Sequence, residues 1–240
     1  MTSTTFAAHP LITEDTGVQG KGKTEIEIGT ESARESEDGT TTKTSSLTTT
    51  VSYGLNDSMD LILGIPYQYI RSKTSELTSN EEGIADIVAE LKWKFYDKDG
   101  LSFALKPSTT LPTGNKKRGL GNGRTTYGLY FITTKEIDPL TLHLNLQYKR
   151  NENRKQPQDQ LDLWHVSLAS EFKATEKLRF VANIGMDKNT NKASNVDPAF
   201  VLGGLVYSLS KDLDLDIGYK HGLNKPATDY SILAGITLRF

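Results

Sequence analysis

Cysteine is missing from all 240 residues, so disulfides and thiolate metal ligands are excluded at once. An exported chain suits that absence, because an oxidising compartment acts on any exposed thiol, though many cytosolic chains share it. Long apolar runs are missing too: no segment approaches the roughly 18 consecutive apolar residues that a membrane helix requires. This excludes a helical membrane protein but not a membrane β-barrel, whose strands turn half their side chains toward a polar lumen. A charge excess of one sign is also lacking. The net charge of -2 offers no basic face for nucleic acid. Histidine is sparse, with four scattered residues and no ligand spacing, so neither a metal nor a cofactor is expected. Met1 to Thr5 carry no basic start and no apolar core, so no signal peptide is read there. The expectation is a mature chain given a new start, with Phe6-Ala7-Ala8 near a processing site.

What the chain does have is alternation. From Asp229 to Phe240, Tyr230, Ile232, Ala234, Ile236, Leu238 and Phe240 share one parity, and Ser231, Gly235, Thr237 and Arg239 the other. That period of two marks a strand with one apolar face. The same unit recurs upstream. Ile87, Ala89, Leu91, Trp93 and Phe95 oppose Asp86, Glu90, Lys92 and Lys94, and Leu140 to Tyr148 and Leu178 to Met186 alternate in the same way. Twelve such strands are expected, the first at Thr24 to Glu31 and the last ending at Phe240. Ser72 to Glu82 reads as a loop, and Arg34 to Gly39 as a turn. Two strands, near residues 125–135 and 198–209, have apolar residues on both parities and no definite facing. Residues 1–22 are a polar, Gly-rich lead-in that either folds into the lumen as a plug or lies in the periplasm, and 23–240 form the barrel.

Five connections are tight, and the other six are usually longer and more polar, in alternation. Up-and-down barrels have this rhythm, whereas a sandwich would show Greek-key crossings. The expected fold is therefore all-β, a 12-stranded antiparallel up-and-down transmembrane β-barrel in the outer membrane, with both termini periplasmic. Aromatic residues on the apolar parity, including Tyr53, Trp93, Trp164, Tyr219 and Phe240, gather toward strand ends as interfacial girdles do.

The polar parity then lines the lumen. Its candidates are Glu25, Glu27, Asp86, Glu90, Lys92, Lys106, Glu171, Arg179, Asp214, Asp216, Lys220 and Arg239, with the two signs nearly balanced. Arg239 is expected opposite Glu25 or Asp214. Lys116, Lys117 and Arg118 form a basic outer loop that either is simply solvated or meets lipopolysaccharide phosphates. Catalysis has weak support: His143 and His165 have lumen parity, His221 sits near a strand end and His9 lies in the lead-in, but none shows a triad spacing. The glycines at 119, 121 and 123 have no helix after them to complete a nucleotide site.

Several segments together resemble a known family. His9-Pro10-Leu11-Ile12-Thr13-Glu14-Asp15-Thr16-Gly17, Gln19-Gly20-Lys21-Gly22, the Tyr53 to Asp57 turn, the Tyr207 to Asp216 hairpin and the Asp229 to Phe240 ending are similar to the outer-membrane proteins of the MetA-pathway phenol-degradation family. That resemblance implies an outer-membrane transporter and brings no catalytic residues. The reading is a passive channel for small molecules, aromatic or hydrophobic ones included. The alternatives are a barrel enzyme acting on lipids and a soluble β-barrel that binds an apolar ligand.

Overall fold

The computed structural model describes residues 9–37, 39–151 and 159–240. The expectations placed on Met1 to Ala8, and on most of the polar run Asn151 to Gln160, fall outside the described residues. Thirteen strands occur among the described ones: β1 (Thr24–Glu37), β2 (Thr40–Asn56), β3 (Met59–Lys73), β4 (Thr78–Ile84), β5 (Ile87–Lys98), β6 (Leu101–Leu111), β7 (Thr126–Ile137), β8 (Leu140–Asn151), β9 (Asp162–Lys173), β10 (Leu178–Asp187), β11 (Ala199–Ser210), β12 (Leu213–Gly222) and β13 (Tyr230–Arg239). Every pairing is antiparallel. β1 pairs with both β2 and β13, and β2 with β3, so the sheet closes on itself and leaves no free edge along most of the wall.

The count of thirteen conceals a barrel of twelve staves. β5 pairs with the Met59–Gly64 half of β3 and β4 with the Tyr67–Lys73 half, so the two are one stave broken at Ala85 and Asp86. This corrects the reading of residues 72–82 as a loop: β3 and β4 make a hairpin there. Its polar Ser79 and Glu81 carry no apolar alternation, because this segment rises beyond the apolar band of the wall. The turn read at residues 34–39 is likewise mostly strand, since β1 runs to Glu37 and β2 begins at Thr40.

Alternation decides which face each residue takes. On β3, Leu61, Leu63, Ile65, Tyr67 and Tyr69 are exposed on the outer face, while Asp60 is 1% exposed inside. The two strands of uncertain facing are now assigned. Ile132 and Thr134 of β7 face inward and Tyr127 and Leu129 outward; Phe200, Leu202 and Val206 of β11 face inward and Val201, Tyr207 and Leu209 outward. On β11 both parities are apolar because this part of the interior is packed, not wet. Leu11, from the N-terminal segment, joins Ala169, Val181, Phe200, Leu202, Val206 and Leu233 in a small core inside the barrel, with Ile12 against it. Each large side chain enclosed this way contributes about 1.5 to 3 kcal/mol.

The outer face carries its own aromatic cluster on β5, β6 and β7. Phe103 lies 5.4 Å from Tyr96 and 5.7 Å from Phe131, and Phe95 lies 5.6 Å from Trp93, centroid to centroid. At the short-turn end, Asp99 (φ 52°) and Gly100 (φ 69°) make the β5–β6 hairpin with two successive left-handed residues, as a two-residue type I′ connection demands.

Candidate functional site

Residues 9–22 run around the inside of the barrel as a strap, touching strand after strand. At the start, the His9 Nδ1 lies 2.5 Å from Asp216 of β12. The Ile12 and Thr13 amides donate to Asn183 of β10 at 2.8 and 3.1 Å, and Thr13 Oγ1 donates to Ser167 of β9 at 2.7 Å. Asn145 of β8 forms a two-way bridge, accepting from the Glu14 amide at 2.7 Å and donating to the Glu14 carbonyl at 2.8 Å. The Thr16 amide donates to Thr134 of β7 at 3.1 Å, and the Thr16 hydroxyl meets Ser102 of β6 at 2.5 Å. The Gln19 amide donates to Asp60 of β3 at 2.9 Å, and the Gly22 amide to the Gly54 carbonyl of β2 at 2.8 Å. A strap without regular structure cannot satisfy its own backbone, so the inward side chains of the wall do so instead.

Glycines make room for it. A Cβ at Gly29 would lie 2.9 Å from the His9 ring and one at Gly235 2.6 Å from His9 Nδ1. Those at Gly204 and Gly218 would lie 3.0 and 2.8 Å from Pro10. Gly29 is cross-strand partner to Gly235, and Gly204 to Gly218, so four glycines on β1, β11, β12 and β13 form one seat for His9-Pro10. At the other end, a Cβ at Gly54 would sit 1.9 Å from the Gly20 carbonyl oxygen.

Charge holds the middle of the strap. Lys106 Nζ lies 2.8 Å from Glu14 and 3.0 Å from Glu90, and Lys92 Nζ lies 3.0 Å from Glu14. The Lys106 ammonium also stands 4.7 Å from the centre of the Tyr130 ring. A second network crosses the far wall: Arg179 meets Glu171 at 3.1 Å and Asp214 at 3.5 Å, while Arg239 contacts both Glu25 at 3.0 Å and Asp214 at 3.1 Å. Lys220 pairs with Glu31 at 2.7 Å. Glu27 faces inward as well, accepting at 3.5 Å from the His9 amide.

Asp86 has a different task from the other inward residues. Its carboxylate accepts from the Gly114 amide at 2.9 Å and the Asn122 amide at 2.7 Å, clamping both ends of the β6–β7 loop. On that loop Lys116, Lys117 and Arg118 form a single exposed 3₁₀ turn, capped by Asn115, and Arg118 pairs with Glu81 at 2.5 Å.

Between the strap and the β1, β2, β3 and β5 side of the wall remains a cavity of 410 Å³. Thr48, Thr50 and Ser52 give it hydroxyls, Ile62, Pro66 and Val88 a short apolar strip, and Glu25, Glu27, Asp60 and Glu90 carboxylates. The near balance of charge expected for the whole lumen does not extend to this cavity: its wall brings Glu25, Glu27, Asp60 and Glu90 against Lys92 and Lys106, and the strap adds Glu14 and Asp15. Asn145, Asn183, Ser102 and Asp60, which hold the strap, were not singled out in the sequence. The one available signal was small amides and hydroxyls on the inward parity of otherwise apolar strands.

Ser167, His165 and Asp187 also lie in series, with His165 Nε2 2.8 Å from Ser167 Oγ and His165 Nδ1 2.8 Å from Asp187. The order matches a hydrolytic triad. Ser167, however, is 2% exposed and its oxygen already accepts from Thr13, so no acyl group can reach it. His143 is held similarly, between Thr134 at 2.9 Å and Glu171 at 3.2 Å. These arrays brace the wall.

Comparison with known proteins agrees with the architecture. A family model described as "MetA-pathway of phenol degradation" matches residues 7–240. No curated protein matches the chain in sequence. Among solved structures, the KdgM porin in complex with disordered oligogalacturonate superposes with a TM-score of 0.60 at 10% identity, covering 90% of this chain and 99% of that one. The NanC porin gives 0.56 at 13% identity, with 90% and 98% covered. The translocator domain of the autotransporter NalP from Neisseria meningitidis gives 0.55 at 11% identity, with 92% and 89% covered. At such identities the likeness is one of fold, that of integral outer-membrane barrels.

Proposed function

Because the chain belongs to the "MetA-pathway of phenol degradation" family, we propose that it is an outer-membrane channel for the passive passage of small molecules. The observation that carries this reading is the space left beside the strap: a twelve-stave barrel that keeps a polar cavity of 410 Å³ between the strap and its wall. A barrel of eight staves is filled by its own side chains and one of sixteen or more is wide open, so twelve staves with an inner strap suit solutes of modest size. The short apolar strip of Ile62, Pro66 and Val88 beside hydroxyls suits a solute with both characters, such as a small aromatic alcohol. The start of β1 at Thr24 and the C-terminal Phe240 pair at the short-turn end, which we read as the periplasmic one, with the β6–β7 loop and its Lys116, Lys117 and Arg118 at the outer surface, within reach of lipopolysaccharide phosphates. The strap serves as a fixed restriction of the passage. Enclosure of Ser167 favours a channel over an enzyme.

Reconstitution in planar bilayers tests the reading. Discrete conductance steps are expected from purified, refolded protein whose gel mobility changes on boiling. Absence of any conductance and of any solute flux into liposomes would overturn it. A chain that stays monodisperse without detergent would point instead to a soluble barrel.

A further inference from the structure

We infer that the passage beside the strap is charge-selective, admitting small cations and neutral polar solutes and disfavouring anions; this rests on the channel reading above. The ground is an asymmetry in how the lumen's charges are paired. Each of Lys92, Lys106, Lys220, Arg179 and Arg239 lies within 3.1 Å of at least one carboxylate, so these cations are neutralised where they stand. The carboxylates outnumber them. Six line the cavity, Glu14, Asp15, Glu25, Glu27, Asp60 and Glu90, against two ammoniums. Glu14 and Glu90 are taken by those lysines and Glu25 by Arg239, whereas Glu27 and Asp60 form no ion pair with Lys or Arg among the described residues.

Geometry gives that surplus its effect. Glu27 stands on β1 and Asp60 on β3, flanking β2, whose Thr48, Thr50 and Ser52 present a row of hydroxyl oxygens between them. A cation entering the cavity therefore meets oxygen ligands across three adjacent strands in place of its water. An anion in this cavity finds no free ammonium, because Lys92 and Lys106, the two that line it, are both held by carboxylates; Lys149 of β8 stands apart, lining a separate space on the other side of the barrel. Carboxylate-lined constrictions select cations for this reason, and a low-dielectric wall concentrates the field inside them. The formal charge of the lumen strands alone hides the effect, because the strap brings Glu14 and Asp15 in and occupies both nearby lysines.

The test is the reversal potential of the reconstituted full chain under a tenfold KCl gradient. The sign expected is that of a K⁺-preferring pore, with K⁺ favoured over Cl⁻ by about tenfold. Glu27→Gln and Asp60→Asn keep the shape and leave one amide oxygen each to accept from the His9 and Gln19 amides, and together should bring that preference down several-fold, toward unity. Boiling-dependent gel mobility of the variant shows that it is folded. A conducting pore with no preference, with a preference for Cl⁻, or with selectivity unchanged in the folded double variant overturns the inference and leaves the channel reading standing. No conductance at all defeats the channel reading itself.

Discussion

Filling the glycine seat should unseat the strap without harming the wall. Gly218 lies on β12, where a β-branched residue fits the pleat, so Gly218→Val changes little in the sheet itself. Its new Cβ, however, would stand 2.8 Å from Pro10 Cβ and 3.1 Å from Pro10 Cγ. Those atoms belong to a rigid pyrrolidine ring with Gly204 of β11 directly beneath it, so they have no rotamer by which to withdraw. Overpacking of this kind costs about 1 to 3 kcal/mol. The strap can escape it by lifting His9 to Leu11 off the wall, which gives up the His9–Asp216 contact and the Leu11 packing. A shift of 1 to 3 kcal/mol raises the lifted population by about 5-fold to 150-fold. The natural absence of cysteine allows a direct assay: Leu11→Cys places a single thiol at a position 8% exposed, and its labelling by a water-soluble maleimide reports the lift. Labelling should accelerate by at least several-fold when Gly218→Val is added. Equal labelling rates in a folded double variant would refute the claim that the glycines hold the strap.

Lys106→Met should be costly, because it leaves Glu14 and Glu90 facing one another without their shared cation. Breaking such a buried pair costs about 3 to 5 kcal/mol, read as a lower urea midpoint for refolding into detergent. Asp86→Ala removes the acceptor for the Gly114 and Asn122 amides, so trypsin should cut at Lys116 to Arg118 many-fold faster while the barrel stays protected; an unchanged rate would show the loop to be held otherwise. In the β10–β11 loop, the Asn189 amide and the Lys188 ammonium hold the Asp197 carboxyl below the usual carboxylate range. With its folded value depressed, Asp197 stabilises the loop above an unfolded pKa of about 3.9 and loses that contribution as pH falls through the lower folded value. The Asn189 amide resonance should accordingly titrate with a midpoint below the ordinary aspartate value.

How legible the molecule was in its sequence follows from where water lies. Strands such as β3 and β13 have lipid on one side and a polar lumen on the other, and period-two alternation displays both faces. The facing of β11 is hidden because Phe200, Leu202 and Val206 pack against an interior that is locally dry, and nothing in those residues shows that Leu11, nearly 200 positions away, supplies the cover. On β7 the inward Tyr130 and Ile132 are as apolar as the outward Tyr127 and Leu129, although Tyr130 lines the polar cavity. The broken stave escaped notice for the opposite reason, as β4 rises beyond the apolar band and keeps no hydrophobic face. For the lumen, parity gave the inward residues but not their partners. Arg239 could be matched with Glu25 and Asp214 from strand order. The bridge from Lys106 to Glu14 could not be read, because an aperiodic segment carries no register. The Ser167, His165 and Asp187 series was hidden likewise: only the alignment of His165 with Asp187 across β9 and β10 brings it together.

The strap also sets an order on assembly. Its first residues contact Asp216 and its last contact Gly54, and those positions come to opposite ends of one 14-residue segment only after β1 has found β13. The strap, which precedes every described strand in the chain, thus finds its places after them, with a sequence separation of 207 for the His9–Asp216 contact. Until closure it must wait, and once seated it ties staves that share no ladder, from β12 around to β2. The strap is then a record of completion: its docking distinguishes a finished barrel from an open sheet that merely has all its strands.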